Sequence, residues 1–301
     1  SGSFVKMADL GFNERDFRVV DKIIRRPNGI FLVTGPTGSG KSTSLYSFLH
    51  EVNTMDVRIL TAEDPIEYQM DGIIQVQMNK DIGLDFARTL RAFLRQDPDK
   101  IMVGEIRDRE TAEIAINASL TGHMVFSTLH TNDALSSIVR LEDMGVERHM
   151  VFSTLHTNTA AGAFPRMIDM GVEPFLIASA VAGVMGQRLC RRLCPTCRRE
   201  VPLDRKWYDL ADPPARDTVF VPAEGGCDAC SRTGYKGRRA LFEVLEVDED
   251  IESAIIKREN ATQIQHISLS KGMKTLREDG WAKVFKGVTS VAEIRRVTED
   301  Q

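Results

Sequence analysis

Gly35-Pro36-Thr37-Gly38-Ser39-Gly40-Lys41-Ser42 decides the fold. It fits G-x-x-x-x-G-K-[ST], a loop whose backbone N–H groups cradle phosphates. Before it runs Ile30-Phe31-Leu32-Val33-Thr34, short and apolar enough for a buried strand. After it, Ser42 to Val52 sets Leu45, Phe48, Leu49 and Val52 on one helical face. Strand, glycine-rich turn and helix together aim N–H groups and the positive helix end at an anion. The glycines let the backbone wrap closely around it. In that arrangement Lys41 reaches the β- and γ-phosphates and Ser42 holds Mg²⁺. Gly35, Pro36, Thr37, Gly38, Ser39, Gly40 and Thr43 complete the expected nucleotide-binding set. An ordinary glycine-rich turn explains the glycines, but not Gly40-Lys41-Ser42 set between a strand and a helix.

Outward from this loop, apolar runs alternate with helical patterns. Val57 to Thr61 reads as a second strand and ends in Glu63-Asp64-Pro65-Ile66-Glu67-Tyr68. Residues 73–78 alternate at period two, as a half-exposed strand does. Lys100 to Gly104 reads as another buried strand and ends in Glu105-Ile106-Arg107-Asp108. Helical patterns cover 9–26, 85–96 and 109–120. Such alternation predicts a mostly parallel α/β sheet. Ligands in these sheets gather at the carboxyl ends of strands, where the loop, Glu63 and Glu105 all fall.

The chain has 301 residues, enough for about two domains. A net charge of −4 and a pI near 5.9 give no general pull toward nucleic acid. The longest uncharged apolar stretch, Pro174 to Gly186, is too short to span a bilayer. A soluble, cytoplasmic chain is expected, with no membrane insertion. Ser1-Gly2-Ser3 reads as an arbitrary cut and no signal peptide is visible.

Four of the five cysteines form Cys194-Pro195-Thr196-Cys197 and Cys227-Asp228-Ala229-Cys230. Two C-x-x-C pairs at this separation predict a tetrahedral Zn²⁺ site held by Cys194, Cys197, Cys227 and Cys230. Redox dithiols are the alternative, but no thioredoxin-like strand–helix pattern surrounds either pair. Disulfides are disfavoured in the cytosol. Four thiolates leave no open position, so the site is structural. Cys190 is expected to be a free thiol. Composition shifts near residue 188, where Arg188, Arg191, Arg192, Arg198 and Arg199 cluster. Residues 201–226 lack periodicity and read as a long loop. Helical patterns return at 250–258, 262–271 and 275–287, with Thr289-Ser290 capping a last helix. Expected domains are therefore 1–187, a metal module at 188–235 and a helical unit at 236–301.

One feature is an internal repeat. His123-Met-Val-Phe-Ser-Thr-Leu-His-Thr-Asn132 recurs letter for letter at His149 to Asn158. Both copies continue to Asp-Met-Gly-Val-Glu, at 143–147 and 169–173, so residues 123–148 and 149–174 are tandem.

These motifs resemble the type II secretion and type IV pilus-assembly ATPases, cytoplasmic hexameric motors with a RecA-like core. Gly35 to Ser42 matches that family's phosphate loop. Glu63 to Tyr68 matches its acidic box, and Met102 to Asp108 its second nucleotide motif, with Gly104-Glu105 in place of a terminal Asp. Thr121-Gly122-His123 through His130-Thr131-Asn132 matches its histidine box. The cysteine pairs match its zinc module, and Gly272 to Gly280 resembles the C-terminal unit of the assembly type. The resemblance spans about residues 9 to 299 and implies a RecA-like P-loop core, a zinc-stapled module and a small helical C-terminal domain. It implies ATP, Mg²⁺ and Zn²⁺, a homo-hexamer, and inner-membrane secretion or pilus platform proteins as partners through N-terminal parts that precede this chain. Nucleic acid is not an implied partner. The family has one histidine box; this chain has two.

The chemistry supports assigned roles. Phosphoryl transfer to water needs phosphate positioning, a metal and a group that orients or deprotonates water. Glu105 is the candidate base, and Glu63 and Glu67 are candidates to hold Mg²⁺ through water. His130 is a candidate γ-phosphate sensor on the resemblance. Arg95 and Arg107 balance phosphate or acidic-box charge, or form surface ion pairs. Besides the motor, a nucleotide-gated scaffold with negligible turnover and a nucleic-acid motor stand as alternatives. Of the two copies, the first is expected in the site through His123 and His130, with the second displaced outward or added as an extra unit.

Overall fold

The computed structural model describes residues 5–129, 159–210 and 215–298. Strands β1 (Gly29–Thr34), β2 (Ile59–Glu63), β3 (Ile73–Gln77), β4 (Lys100–Ile106), β5 (Met124–Leu129) and β6 (Val181–Leu193) form one parallel sheet. β7 (Arg199–Pro202) and β8 (Thr218–Val221) make a separate antiparallel ribbon. β9 (Tyr235–Glu246) pairs antiparallel with β6, giving the order β3-β2-β4-β5-β1-β6-β9. β2 and β5 are buried throughout, as strands covered on both faces must be. Side chains alternate across β1. Ile30 and Leu32 join one core layer with Leu60, Val103 and Ile116. Phe31 and Val33 join the other with Phe48, Leu49 and Phe126.

The helices are α1 (Glu14–Ile24), α2 (Lys41–Val52), α3 (Phe86–Phe93), α4 (Arg109–Leu120), α5 (Ala163–Asp169), α6 (Pro174–Ala180), α7 (Glu249–Ile256), α8 (Ala261–Ser270), α9 (Leu276–Phe285) and α10 (Val291–Thr298). α1 begins later than its apolar pattern predicts, because Gly11 takes a φ of 99° and Asn13 caps the helix by accepting from Asp16 N at 2.8 Å. The expected loop at 201–226 is partly wrong: β8 lies within it and pairs with β7, which overlaps its start. Four-residue strands are too short for their alternation to stand out. The boundary drawn at 187/188 falls inside β6, so the cysteine knuckles extend the main sheet.

The repeat is divided between two places. β5 is the strand of the first copy, paired with β1 and β4. Among the described residues, the helix of the repeat that packs into the core, α5, is from the second copy. Ala160, Ala161 and Phe164 are fully buried, and Gly162 is buried beside them. Over residues 159–169 the second copy is therefore not displaced outward, which was one of the two arrangements expected for it. The small residues suit this place: the first copy carries Leu135 and Ser136 at the positions of Ala161 and Gly162, and enlarging a filled core is destabilising. Buried Glu243 also accepts from Ala160 N at 2.6 Å, and burial pushes its carboxyl up to about 7. Pro165 lies in the first turn of α5, where a missing N–H costs nothing.

Deleting residues 123–148 joins Gly122 to His149 and regenerates the β5 sequence as Met150 to Leu155, now close to Thr159 in the chain. Such a variant should melt at the same temperature as the parent or higher. A markedly lower melting temperature would show that both copies are built into the fold.

Candidate functional site

The phosphate loop joins β1 to α2 beside the ends of β4 and β5. Gly35, Gly38 and Gly40 have φ of 141°, 78° and 87°, a region that strains any side chain. A Cβ on Gly35 would sit 2.2 Å from the Gln187 carbonyl oxygen. Lys41, the first residue of α2, is 7% exposed. Its Nζ donates to the carbonyls of Gly35 at 2.8 Å and Pro36 at 3.1 Å. Burial lowers its pKa to about 8, against the opposing pull of Glu105. Ser42 and Thr43 follow at the helix N-terminus, and both line the cleft in front of the loop.

That cleft has a volume of about 460 Å³ and collects residues from four strand ends. Glu63, last in β2, is 4% exposed. It accepts from Tyr46 Oη, from Thr61 Oγ1 at 2.5 Å and from Gln75 Nε2 at 3.0 Å. Burial and the neighbouring Glu63 both push the Tyr46 hydroxyl pKa up. Glu67 is exposed and lines the same cleft, and its backbone N–H donates to Tyr46 Oη at 3.2 Å. Glu105, next to last in β4, is 6% exposed and pairs with exposed Arg107 at 2.5 Å. Thr128 Oγ1 on β5 donates to Gly104 O at 2.7 Å, fixing the end of β4 beside it. Asp108 then caps α4, accepting from Thr111 N at 2.8 Å. The fold thus brings together Gly38, Gly40, Lys41, Ser42, Thr43, Glu63, Glu67 and Glu105 as expected. Arg95 is exposed and does not line this cleft. His130 lies outside the described residues. His123 precedes β5, at the end of the strand away from the site, with Nδ1 2.9 Å from Ala118 O, so it does not belong to the site.

Three neighbours were not legible as site residues. Tyr46 holds Glu63 from α2. Gln187 on β6 donates through Nε2 to Ser39 O at 3.0 Å and accepts from Ser44 Oγ at 2.8 Å. Arg238 on β9 also lines the cleft. The one local signal was a polar residue inside an apolar pattern, at Tyr46 and Gln187.

At the far end of the β6–β9 pair the four cysteines converge, with their sulfurs within 4.8 Å of one another. The Cys194–Cys227, Cys197–Cys230 and Cys227–Cys230 Sγ separations are each 3.8 Å. Metal–sulfur arms of about 2.3 Å give a tetrahedron with an edge of about 3.8 Å, so the donor set fits zinc. Cys230 Sγ accepts from Cys227 N at 3.2 Å and Gly234 N at 3.3 Å. The Cys227 backbone N–H leads in lowering its thiol to about 6. Cys190 is buried on β6 outside this group, and desolvation raises its thiol.

A parallel sheet with a glycine-rich phosphate loop, acids at two neighbouring strand ends and an antiparallel edge defines a RecA-like P-loop nucleoside triphosphatase fold. The chain belongs to the Type II/IV secretion system protein family, which it matches over residues 1–150 and 148–296. The two matches meet where the first copy of the repeat gives way to the second. The chain is 46% identical over 292 residues to the type IV pilus assembly ATPase PilB of Thermus thermophilus, covering 96% of this chain and 30% of that protein. It is 45% identical over 288 residues to the type II secretion system ATPase E of Vibrio cholerae, covering 96% of this chain and 51% of that one. It therefore spans about half the length, or less, of these curated relatives. Among solved structures, the pilus retraction motor PilT with bound ADP superposes with a TM-score of 0.62 at 26% identity, covering 99% of this chain and 68% of PilT. The Legionella pneumophila ATPase DotB shares the fold at a TM-score of 0.65 and 23% identity, over 99% of this chain and 66% of DotB. Among the described residues no helix is long and apolar enough to cross a membrane.

Proposed function

We propose that this chain is the ATP-hydrolysing part of a cytoplasmic, homo-hexameric motor that powers type II secretion pseudopilus or type IV pilus assembly. The observation that carries this is the meeting of Lys41, Ser42, Glu63 and Glu105 in one cleft at the carboxyl ends of β1, β2 and β4. In this reading Gly35 to Thr43 bind ATP, and the Ser42 hydroxyl is the Mg²⁺ ligand from the loop. Glu105 orients or deprotonates the attacking water, and Arg107 holds its carboxylate in place. Glu63, already accepting from three side chains, orders the acidic box, while exposed Glu67 is free to reach metal-bound water. His130 reports on the γ-phosphate, as the resemblance implies. Cys194, Cys197, Cys227 and Cys230 hold structural Zn²⁺. Inner-membrane platform proteins are the partners of the assembled machine, and the names of the PilB and ATPase E relatives support that setting. The test is phosphate release from Mg·ATP by the parent and by Lys41→Ala. Release that depends on Lys41 and ignores single-stranded DNA is expected, whereas stimulation by DNA would favour a nucleic-acid motor.

A further inference from the structure

Gln187 braces the phosphate loop from β6. Its side chain is almost wholly buried. Nε2 donates to the Ser39 carbonyl at 3.0 Å, and Oε1 accepts from Ser44 Oγ at 2.8 Å. The backbone approaches as closely: a Cβ on Gly35 would meet Gln187 O at 2.2 Å, and one on Gly40 would meet Gln187 Nε2 at 3.0 Å. One residue therefore touches the start of the loop, its end and the helix that follows. Ser39 Oγ is buried and has no hydrogen-bond partner among the described residues, while the Ser39 N–H donates to Pro36 O at 3.1 Å and its carbonyl accepts from Gln187.

We propose that Gln187 is a positioning residue that sets the affinity of the loop for nucleotide phosphates. The inference rests on reading Gly35 to Thr43 as the nucleotide loop. An anion seat works when its N–H groups point inward and its carbonyls point away. The Gln187 amide holds the Ser39 carbonyl, which keeps that oxygen from turning toward a bound phosphate. The pattern needs a donor and an acceptor on one side chain, because Ser39 O only accepts and Ser44 Oγ is donating. A carboxylate at 187 loses the donor and faces a carbonyl, and a thioether loses both good partners. Gln187 acts before chemistry, so its loss weakens binding without slowing the bound complex.

The experiment compares Gln187→Met, Gln187→Glu and Ser44→Ala with the parent in the full chain. Mg·ATP affinity is measured at equilibrium and turnover in the steady state. Gln187→Met should weaken binding about tenfold, and Gln187→Glu more, with kcat within about threefold of the parent. Ser44→Ala removes one hydroxyl and keeps the fold; about a threefold loss of affinity is expected, and little further loss when it is combined with Gln187→Met. Parent affinity in Gln187→Met, or in Ser44→Ala should Gln187→Met not fold, overturns the proposal. So does a fall in kcat at unchanged KM. A parent that binds no Mg·ATP overturns the nucleotide reading and this inference with it. A parent that binds, beside variants that bind equally, overturns this inference and leaves the nucleotide reading standing.

Discussion

Glu105→Gln is expected to bind ATP and fail to hydrolyse it. The amide keeps the size of the side chain at a position that is buried on the strand side and open to the cleft. What it loses is the ability to take a proton and the charge that holds Arg107 at 2.5 Å. Removing a general base costs about a hundredfold or more in rate. Turnover should therefore drop by at least about that factor, while equilibrium binding of Mg·ATP changes by less than about threefold. Single-turnover release of phosphate, measured beside filter binding of labelled ATP, separates the two. Hydrolysis at the parent rate in Glu105→Gln would remove Glu105 from the role of base. The carboxylate next in line would then be Glu67, the exposed acid of the same cleft.

The second large effect is expected from the metal. The purified chain should carry about one zinc, and Cys194→Ser or a strong chelator should remove it. Structural zinc binding is folding free energy, and here it is spent at the open end of β6 and β9. Leu193 and Tyr235 are the last register pair before the knuckles. Beyond them the two knuckles are joined to each other by Cys194 N donating to Gly234 O at 2.9 Å and by the four sulfurs, and the β7–β8 ribbon packs through Leu203 and Val219 on Trp281 and Phe285. Loss of the metal should expose residues 190–240 to hydrogen exchange while amides of β1, β2, β4 and β5 stay protected. Cys190→Ser should leave the metal content unchanged, since Cys190 lies on β6 outside the cluster. Fresh, fully reduced protein that contains no zinc would contradict this part of the account.

How much of this was legible before folding depends on how local each signal is. The phosphate loop is wholly local: its glycines, Lys41 and Ser42 stand in one stretch, and the strand before it and the helix after it read correctly. Glu63 and Glu105 were legible because each ends an apolar run, and parallel sheets gather such ends on one edge. The cysteine pairs were legible from spacing. Gln187 was not, because its partners Ser39 and Ser44 lie far away in sequence and meet it through the β1–β6 pairing. Tyr46 reads as one more bulky residue on α2 until the fold sets it against Glu63. Arg238 looks like part of a surface charge run until β9 closes the sheet edge. The repeat shows a different limit. The two strand sequences are identical, so no residue pattern chooses between them, and that the small residues Ala161 and Gly162 belong to the core is visible only in the fold.

The most direct measurement is Mg·ATP binding and phosphate release by the parent beside Lys41→Ala. Lys41 is buried with its ammonium drawn into the loop carbonyls, ready to be exchanged for phosphate oxygens. Its pKa near 8, lowered by burial, adds a sign. Phosphate favours the protonated ammonium, so affinity should hold below pH 8 and fall as the pH rises through it. The account predicts that the parent binds and hydrolyses ATP, that Lys41→Ala weakens binding by about tenfold or more and abolishes turnover, and that the alkaline loss of affinity disappears in the variant. A parent that turns over ATP at a rate indifferent to Lys41 would contradict the account at its centre.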